Sequence, residues 1–206
     1  GSWTGRILGK LGARLVAVMD HTGAIRNDGG IDPEALAEHV ATTGGVAAFT
    51  GPLTGTGRAA AQGAARVTAE QFYATPVDVL VPAALEQMIK GEQARIIQAK
   101  VVAEGANAPT TPAGDRVLSE RGIEVLPAIL CNAGGVTVSY FEWIQNKSCT
   151  RWSEEQVDRE LNRHMVDAAA RTKKARQRFG SDMRTAAYIA ALDNIAKAYA
   201  VRGIFP

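Results

Sequence analysis

The stretch Asn132-Ala133-Gly134-Gly135-Val136-Thr137-Val138-Ser139 mixes small residues with polar side chains in a way suited to holding a ligand. Its adjacent glycines leave the backbone unobstructed where a helix is expected to begin, and helix N-termini present free N–H groups to anions. Ser139 falls about two helical turns beyond Asn132, so both side chains could face one cleft. A plain Gly-Gly turn and a serine bonded back into its own helix are the structural alternatives. A second polar turn runs from Glu104 to Thr111. There Asn107 offers two donors and an acceptor, between Gly105 and Pro109; the alternative is an asparagine that caps its own turn. In Pro82-Ala83-Ala84-Leu85 the side chains are small enough to admit a ligand close to the backbone, or simply to pack tightly. Asp20 follows an apolar run, where an acid can bond the ribose hydroxyls of a dinucleotide. It could equally cap the Thr22-Gly23 turn.

These four turns have a common context. Ala13 to Met19 and Val77 to Val81 are short apolar runs of the kind buried on both faces of a parallel sheet. Lys100 to Ala103 and Ile123 to Leu126 read as further strands. Helices are expected over Ser2 to Leu11, Asp32 to Thr43, Glu92 to Gln98, and Thr111 to Gly122. Gly44 and Gly122 are placed as stops, and Pro33 and Pro112 fall in first turns. Thr68-Ala-Glu-Gln71 forms a capping box, and Val46 to Arg66, rich in Gly, Ala and Thr, reads as a surface loop. Beyond Gly134 the pattern becomes helical: one helix to about Asn146, a long one from Ser153 to Phe179, and a last one capped by Ser181 and ending at Gly203. Alternating strands and helices imply a Rossmann-like, doubly wound, mostly parallel α/β sheet with long C-terminal helices. Ligands bind such sheets at the carboxyl ends of the strands, where all four polar or small-residue turns fall.

Hydrophobic residues are 46% and charged residues 21% of 206, the balance of an ordinary globular chain, which argues against disorder. Net charge is +2 with the basic residues dispersed, so a nucleic-acid partner is not expected. No apolar run approaches the ~20 residues of a membrane span. Cys131 and Cys149 suggest neither a disulfide scaffold nor a metal site, and a cytoplasmic setting is the default. His21, His39 and His164 form no visible constellation and read as surface residues. Lys90, Lys100 and Lys147 read as solvent-exposed.

Glu104-Gly-Ala-Asn107-Ala-Pro-Thr-Thr111, Asn132 to Asn146 and Asp182-Met-Arg-Thr-Ala-Ala-Tyr188 together resemble the C-terminal domain of glutamate dehydrogenases, as do Ala17 to Gly23 and Val79 to Glu86. The likeness covers essentially the whole chain. Leucine, phenylalanine and valine dehydrogenases are similar in fold but depart from these motifs. The resemblance implies NAD- or NADP-dependent oxidative deamination of L-glutamate to 2-oxoglutarate and ammonia, together with the reverse reaction, in a homo-oligomer that is a hexamer in the family. By the same resemblance Gly1 matches the last glycine of a phosphate loop and Asp20 the ribose-side acid. Ala83 and Ala84 match backbone contacts to the cofactor. Asn107 and Asn132 match polar groups around the nicotinamide and substrate, and Val136 and Ser139 line the pocket for the glutamate side chain.

The resemblance further implies a division into a nucleotide-binding part, 1–150, and helices, 151–206, that pack toward a substrate domain. The family's catalytic lysine and aspartate belong to that separate domain, so no catalytic residue is assigned here. The first strand and most of the phosphate loop are expected upstream of residue 1. Ala128 departs from the family's usual aspartate, which puts one hydrogen bond of its loop in question. Cys131 stands in place of a small residue and reads as packing. Two alternatives stay open: a branched-chain or aromatic amino-acid dehydrogenase, and a non-catalytic nucleotide-binding subunit.

Overall fold

The structure, a computed structural model, describes residues 1–51 and 63–203. In chain order the elements are α1 (Ser2–Lys10), β1 (Ala17–Asp20), β2 (Gly23–Arg26), α2 (Pro33–Thr43), β3 (Ala65–Val67), α3 (Ala69–Tyr73), β4 (Val77–Leu80), α4 (Gly91–Ile96), β5 (Ala99–Ala103), α5 (Pro112–Glu120), β6 (Glu124–Leu126), α6 (Ala128–Cys131), α7 (Ala133–Ser148), α8 (Glu154–Phe179) and α9 (Met183–Arg202).

Strands β4, β5 and β6 form a parallel sheet in that order, with Val79 opposite Val101 and Val102 opposite Val125. Parallel neighbours need crossover helices, and α4 and α5 supply them. The core against this sheet contains Ile89, Ile97, Val102 and Leu118, all fully buried. Burying each such aliphatic side chain contributes about 1.5–3 kcal/mol. The local starts follow the sequence. Thr68 and Gln71 form a reciprocal capping box, and Thr111 accepts from the Gly114 N–H. Asp32 accepts from the N–H groups of Glu34 and Ala35 at the head of α2.

The first strand differs from expectation. Only Ala17–Asp20 is strand, and it pairs antiparallel with β2, which pairs antiparallel with β3. The cause is the reversal at His21-Thr22. Asp20 binds the turn, and Gly23, at φ 145°, takes a backbone conformation that favours glycine. Upstream of β1, Leu15 and Val16 instead accept from the N–H groups of Ile31 and Asn27. An apolar run alone does not distinguish a buried parallel strand from one arm of a half-buried hairpin.

The expected loop from Val46 to Arg66 is also more structured than its composition suggests. Val46 and Phe49 are buried beside Ile25, Ile31 and Leu36, and Ala65–Val67 is strand β3. Residues 52–62 of that loop lie outside the described residues. The last helix is capped by Asp182 rather than Ser181. Asp182 accepts from the Thr185 N–H and hydroxyl, whereas the Ser181 hydroxyl points to a carbonyl. Helices α8 and α9 pack on each other, and α9 also packs on β6, where Met183, Ala186 and Ala187 are buried. No helix among the described residues is long and apolar enough to cross a membrane.

Candidate functional site

The carboxyl ends of β4, β5 and β6 are stitched together before any ligand is considered. The N–H groups of Gly105 and Ala106 both donate to the Pro82 carbonyl, at 3.0 and 2.9 Å. The Glu104 N–H donates to the Leu126 carbonyl at 3.0 Å. Gly105 permits this approach: a β-carbon there would lie 3.2 Å from that of Ala83, tighter than ordinary packing. The result is a crevice of about 720 Å³ lined by Ala83, Ala84, Glu86, Asn107, Asn132 and Val136 among others. On one wall small side chains leave the backbone accessible. Across from them the Asn132 Nδ2 donates to the Asn107 Oδ1 at 2.7 Å. That bond uses one donor of Asn132 and one acceptor of Asn107, leaving each amide further capacity for a ligand.

The two asparagines occupy different local settings. Asn107 follows the tight turn at the end of β5, and Ala108 beside it takes a positive φ of 43°. Asn132 sits at the junction of α6 and α7; its N–H bonds the Ala128 carbonyl at 2.9 Å. The short helix α6 was not anticipated from the sequence. Val136 projects into the crevice and is 72% exposed, as an apolar wall awaiting a partner is expected to be. Ser139 lies one turn further along α7 and is exposed, outside the crevice lining. Gly1 caps α1 and sits beside Ala83: a β-carbon built on it would be 3.8 Å from the Ala83 carbonyl oxygen.

Asp20 is apart from the crevice lining, and its carboxylate is already engaged. Oδ1 accepts from the Thr22 N–H at 2.7 Å and the Thr22 hydroxyl at 2.5 Å, and Oδ2 accepts from the Val46 N–H at 3.0 Å. Burial pushes this carboxyl up, but the three hydrogen bonds outweigh it and hold it below the ordinary carboxylate value. The turn-capping role is therefore real; Oδ1 already accepts twice, and Oδ2 keeps one free lone-pair direction. Cys131 is half-buried, with its thiol pushed up by burial and by the nearby Glu104 charge, so it is a poor nucleophile. His39 is not the surface residue expected; its Nε2 is buried and its ring stands edge-on to Phe49.

A set of charged residues behind the crevice received no role from the sequence. Glu104 is completely buried. Its carboxylate accepts from the Ala128 N–H at 2.8 Å and from Arg184 through two nitrogens, each at 2.9 Å. Arg184 also grips Asp115 at 2.9 and 3.2 Å. Burial would raise the Glu104 carboxyl, but Arg184 and the Ala128 N–H outweigh it and keep it ionised below its usual range. Arg184 is correspondingly raised, chiefly by its bond to Glu104. The signal was available: an acid directly after a buried strand has to find a cation or several donors. Ala128 keeps a hydrogen bond at this loop through its backbone, since its N–H reaches Glu104.

Small-residue backbone and paired amides over the carboxyl edge of a parallel sheet define an α/β domain whose crevice lies where open sheets of this kind bind ligands. The chain belongs to the Glutamate/Leucine/Phenylalanine/Valine dehydrogenase family, whose model matches residues 1–203. It is 44% identical over 197 residues to a glutamate dehydrogenase of Thermotoga maritima, covering 96% of this chain and 44% of that protein. It is 40% identical to NADP-specific glutamate dehydrogenase A1 of Halobacterium salinarum, covering 100% of this chain and 47% of that one. An NAD-specific glutamate dehydrogenase of Clostridioides difficile is also 40% identical, covering 98% and 47% respectively. Among solved structures, a hetero-hexameric glutamate dehydrogenase from Thermus thermophilus matches with a TM-score of 0.84 at 28% identity, covering 100% of this chain and 46% of that one. The chain thus spans slightly less than half the length of the relatives it matches.

Proposed function

We propose that the polypeptide carrying this chain is a glutamate dehydrogenase, interconverting L-glutamate with 2-oxoglutarate and ammonia, with NAD or NADP as the hydride carrier. The observation that carries this reading is the crevice itself. Asn107 and Asn132, bonded to each other, face the open backbone of Ala83 and Ala84 with Val136 alongside. A dinucleotide fits such a place, because small side chains admit its backbone contacts while the amides orient its reactive end. In this reading residues 1–150 bind the nucleotide and 151–206 are helices that pack toward a substrate domain. Gly1, at the N-terminus of α1 and beside Ala83, lies on the phosphate path. Asp20 offers the remaining lone pair of Oδ2 to a ribose. Val136 and Ser139 bind the side chain of glutamate, with the hydroxyl meeting its carboxylate. A site built to hydrogen-bond that carboxylate rejects aliphatic amino acids, which leave its polar groups unpaired.

No catalytic acid or base is assigned within the chain, and these 206 residues alone are expected to be inactive. The assembly is proposed to be a homo-hexamer in the cytoplasm. Support for association comes from Trp3, Leu11, Tyr140, Trp143, Leu192 and Tyr199, all exposed here.

The test is an assay of the natural polypeptide with L-glutamate, L-leucine, L-phenylalanine and L-valine, each with NAD and with NADP. Glutamate is the expected substrate. Ser139→Ala should lower kcat/KM for glutamate about 10- to 100-fold, the value of one hydrogen bond to a charged group. Leucine turnover should be unaffected. An equal effect on both substrates, or a preference for leucine, would overturn the reading.

A further inference from the structure

The two asparagines are held in register by a closed circuit of contacts. From Glu104 the circuit crosses to the Ala128 N–H at 2.8 Å. One turn of α6 carries it from the Ala128 carbonyl to the Asn132 N–H. The Asn132 amide then meets Asn107 at 2.7 Å, and the turn from Asn107 leads back to Glu104. Among the described residues Arg184 hydrogen-bonds to this circuit at Glu104, and it is not one of the residues lining the crevice. It fixes both oxygens of that carboxylate and ties them to Asp115 on α5. Its own backbone belongs to the first turn of α9. A planar guanidinium with two parallel bonds sets the orientation of a carboxylate, where a point charge sets only its distance.

We propose that Arg184 is a positioning residue. By fixing the Glu104 carboxylate it sets where Ala128, and hence Asn132, stands against Asn107, so the geometry of the crevice depends on the first turn of α9. As a statement about substrate binding the proposal rests on the dehydrogenase reading; as a statement about the two asparagine turns it does not.

The experiment uses the natural polypeptide with Arg184→Met combined with Glu104→Gln. The pair removes both charges together, so no carboxylate is left buried alone, and the amide oxygen introduced by Glu104→Gln can still accept from the Ala128 N–H. Folding is checked by circular dichroism. Hydrogen exchange followed by mass spectrometry should then show residues 105–108 and 130–133 exchanging about tenfold faster, with β4 and β5 unchanged. In kinetics, KM for the coenzyme and KM for the amino-acid substrate should each rise about tenfold, as misplaced contacts at the nicotinamide end demand. A loss of folded protein lowers kcat and leaves both constants alone. Arg184→Lys, which keeps charge but not the fork, should fall between. If Asp115→Asn gives the same KM change as the double variant, or if both turns exchange as in the wild type, the proposal is overturned. Faster exchange in the double variant of a polypeptide that proves to have no amino-acid dehydrogenase activity would sink the functional reading and leave this inference standing.

Discussion

Two strand ends in this molecule carry an acid, and they have been put to different uses. Asp20 closes β1 and Glu104 follows β5. Both carboxylates are hydrogen-bonded through both oxygens, and both are held below the ordinary range. Asp20 is partly exposed and served only by neutral donors two and 26 residues away. Glu104 has no exposure and is served by a guanidinium 80 residues away. The first arrangement needs only its own turn and the segment that follows α2; the second forms only when the last helix docks. Acid at a strand end therefore says little by itself. Whether it serves the turn or the whole domain depends on how dry the strand end is.

The largest test of this contrast is to break the arrangement around each acid and compare the losses. Arg184→Met leaves Glu104 ionised and unpaired in the interior, which should cost about 3–5 kcal/mol in urea denaturation. Gly114→Ala should follow, because a β-carbon there would stand 2.4 Å from the Ile89 carbonyl oxygen, a backbone atom that cannot rotate away. Overpacking of that kind typically costs about 1–3 kcal/mol. Asp20→Ala should cost about 1–2 kcal/mol, the value of hydrogen bonds lost at a partly solvated turn. If Asp20→Ala proves as damaging as Arg184→Met, the division between a local and a global acid is wrong.

Acid titration sharpens the same contrast. Both carboxyls are depressed in the folded state, so the unfolded chain takes up protons first as pH falls. Their contribution is complete above the ordinary carboxylate range and drains away on going below about pH 5, through the folded-state values. The loss should be steeper for the wild type than for the variant that neutralises Glu104 and Arg184 together, as read from urea midpoints across pH 3 to about 7. A parallel pair of curves would mean that Glu104 contributes nothing pH-dependent.

The sequence was legible wherever a local rule decided the outcome. Asp32-Pro33, Thr68 to Gln71 and Thr111-Pro112 opened helices as expected because a cap depends on the next three residues. Val77 to Ala103 could be read as strand, helix and strand because Pro76 and Pro82 bound the first run, Gly91 precedes the second and Gly105 closes the last. Five residues that the resemblance singled out, Ala83, Ala84, Asn107, Asn132 and Val136, line one crevice, while Gly1, Asp20 and Ser139 are not among its lining residues. What failed was non-local. The hairpin partner of β1 cannot be inferred from Ala13 to Met19, because pairing direction is set by the turn and by what covers the strand. Ser181 and Asp182 are both competent caps, and only the geometry of the first turn chose between them. Glu104 and Arg184 were both quoted within motifs, yet nothing local says they meet.

The smallest expected effect concerns an ion pair on the same sheet as Glu104. Lys100 on β5 reaches Asp78 on β4 at 2.6 Å, with the side chains 80% and 82% exposed. Each raises or lowers the other's titration chiefly through this one hydrogen bond. Water screens such a pair, and ordering two exposed side chains offsets most of the attraction. Lys100→Ala should therefore leave the urea midpoint unchanged within error. It sits two strand positions from Val102, in the middle of the sheet whose carboxyl end Glu104 occupies, so distance from the core elements is not the difference. Desolvation is. A clear loss of stability in Lys100→Ala would show that strand-to-strand charge pairing matters here irrespective of burial, and the explanation offered for Glu104 would need to be rebuilt.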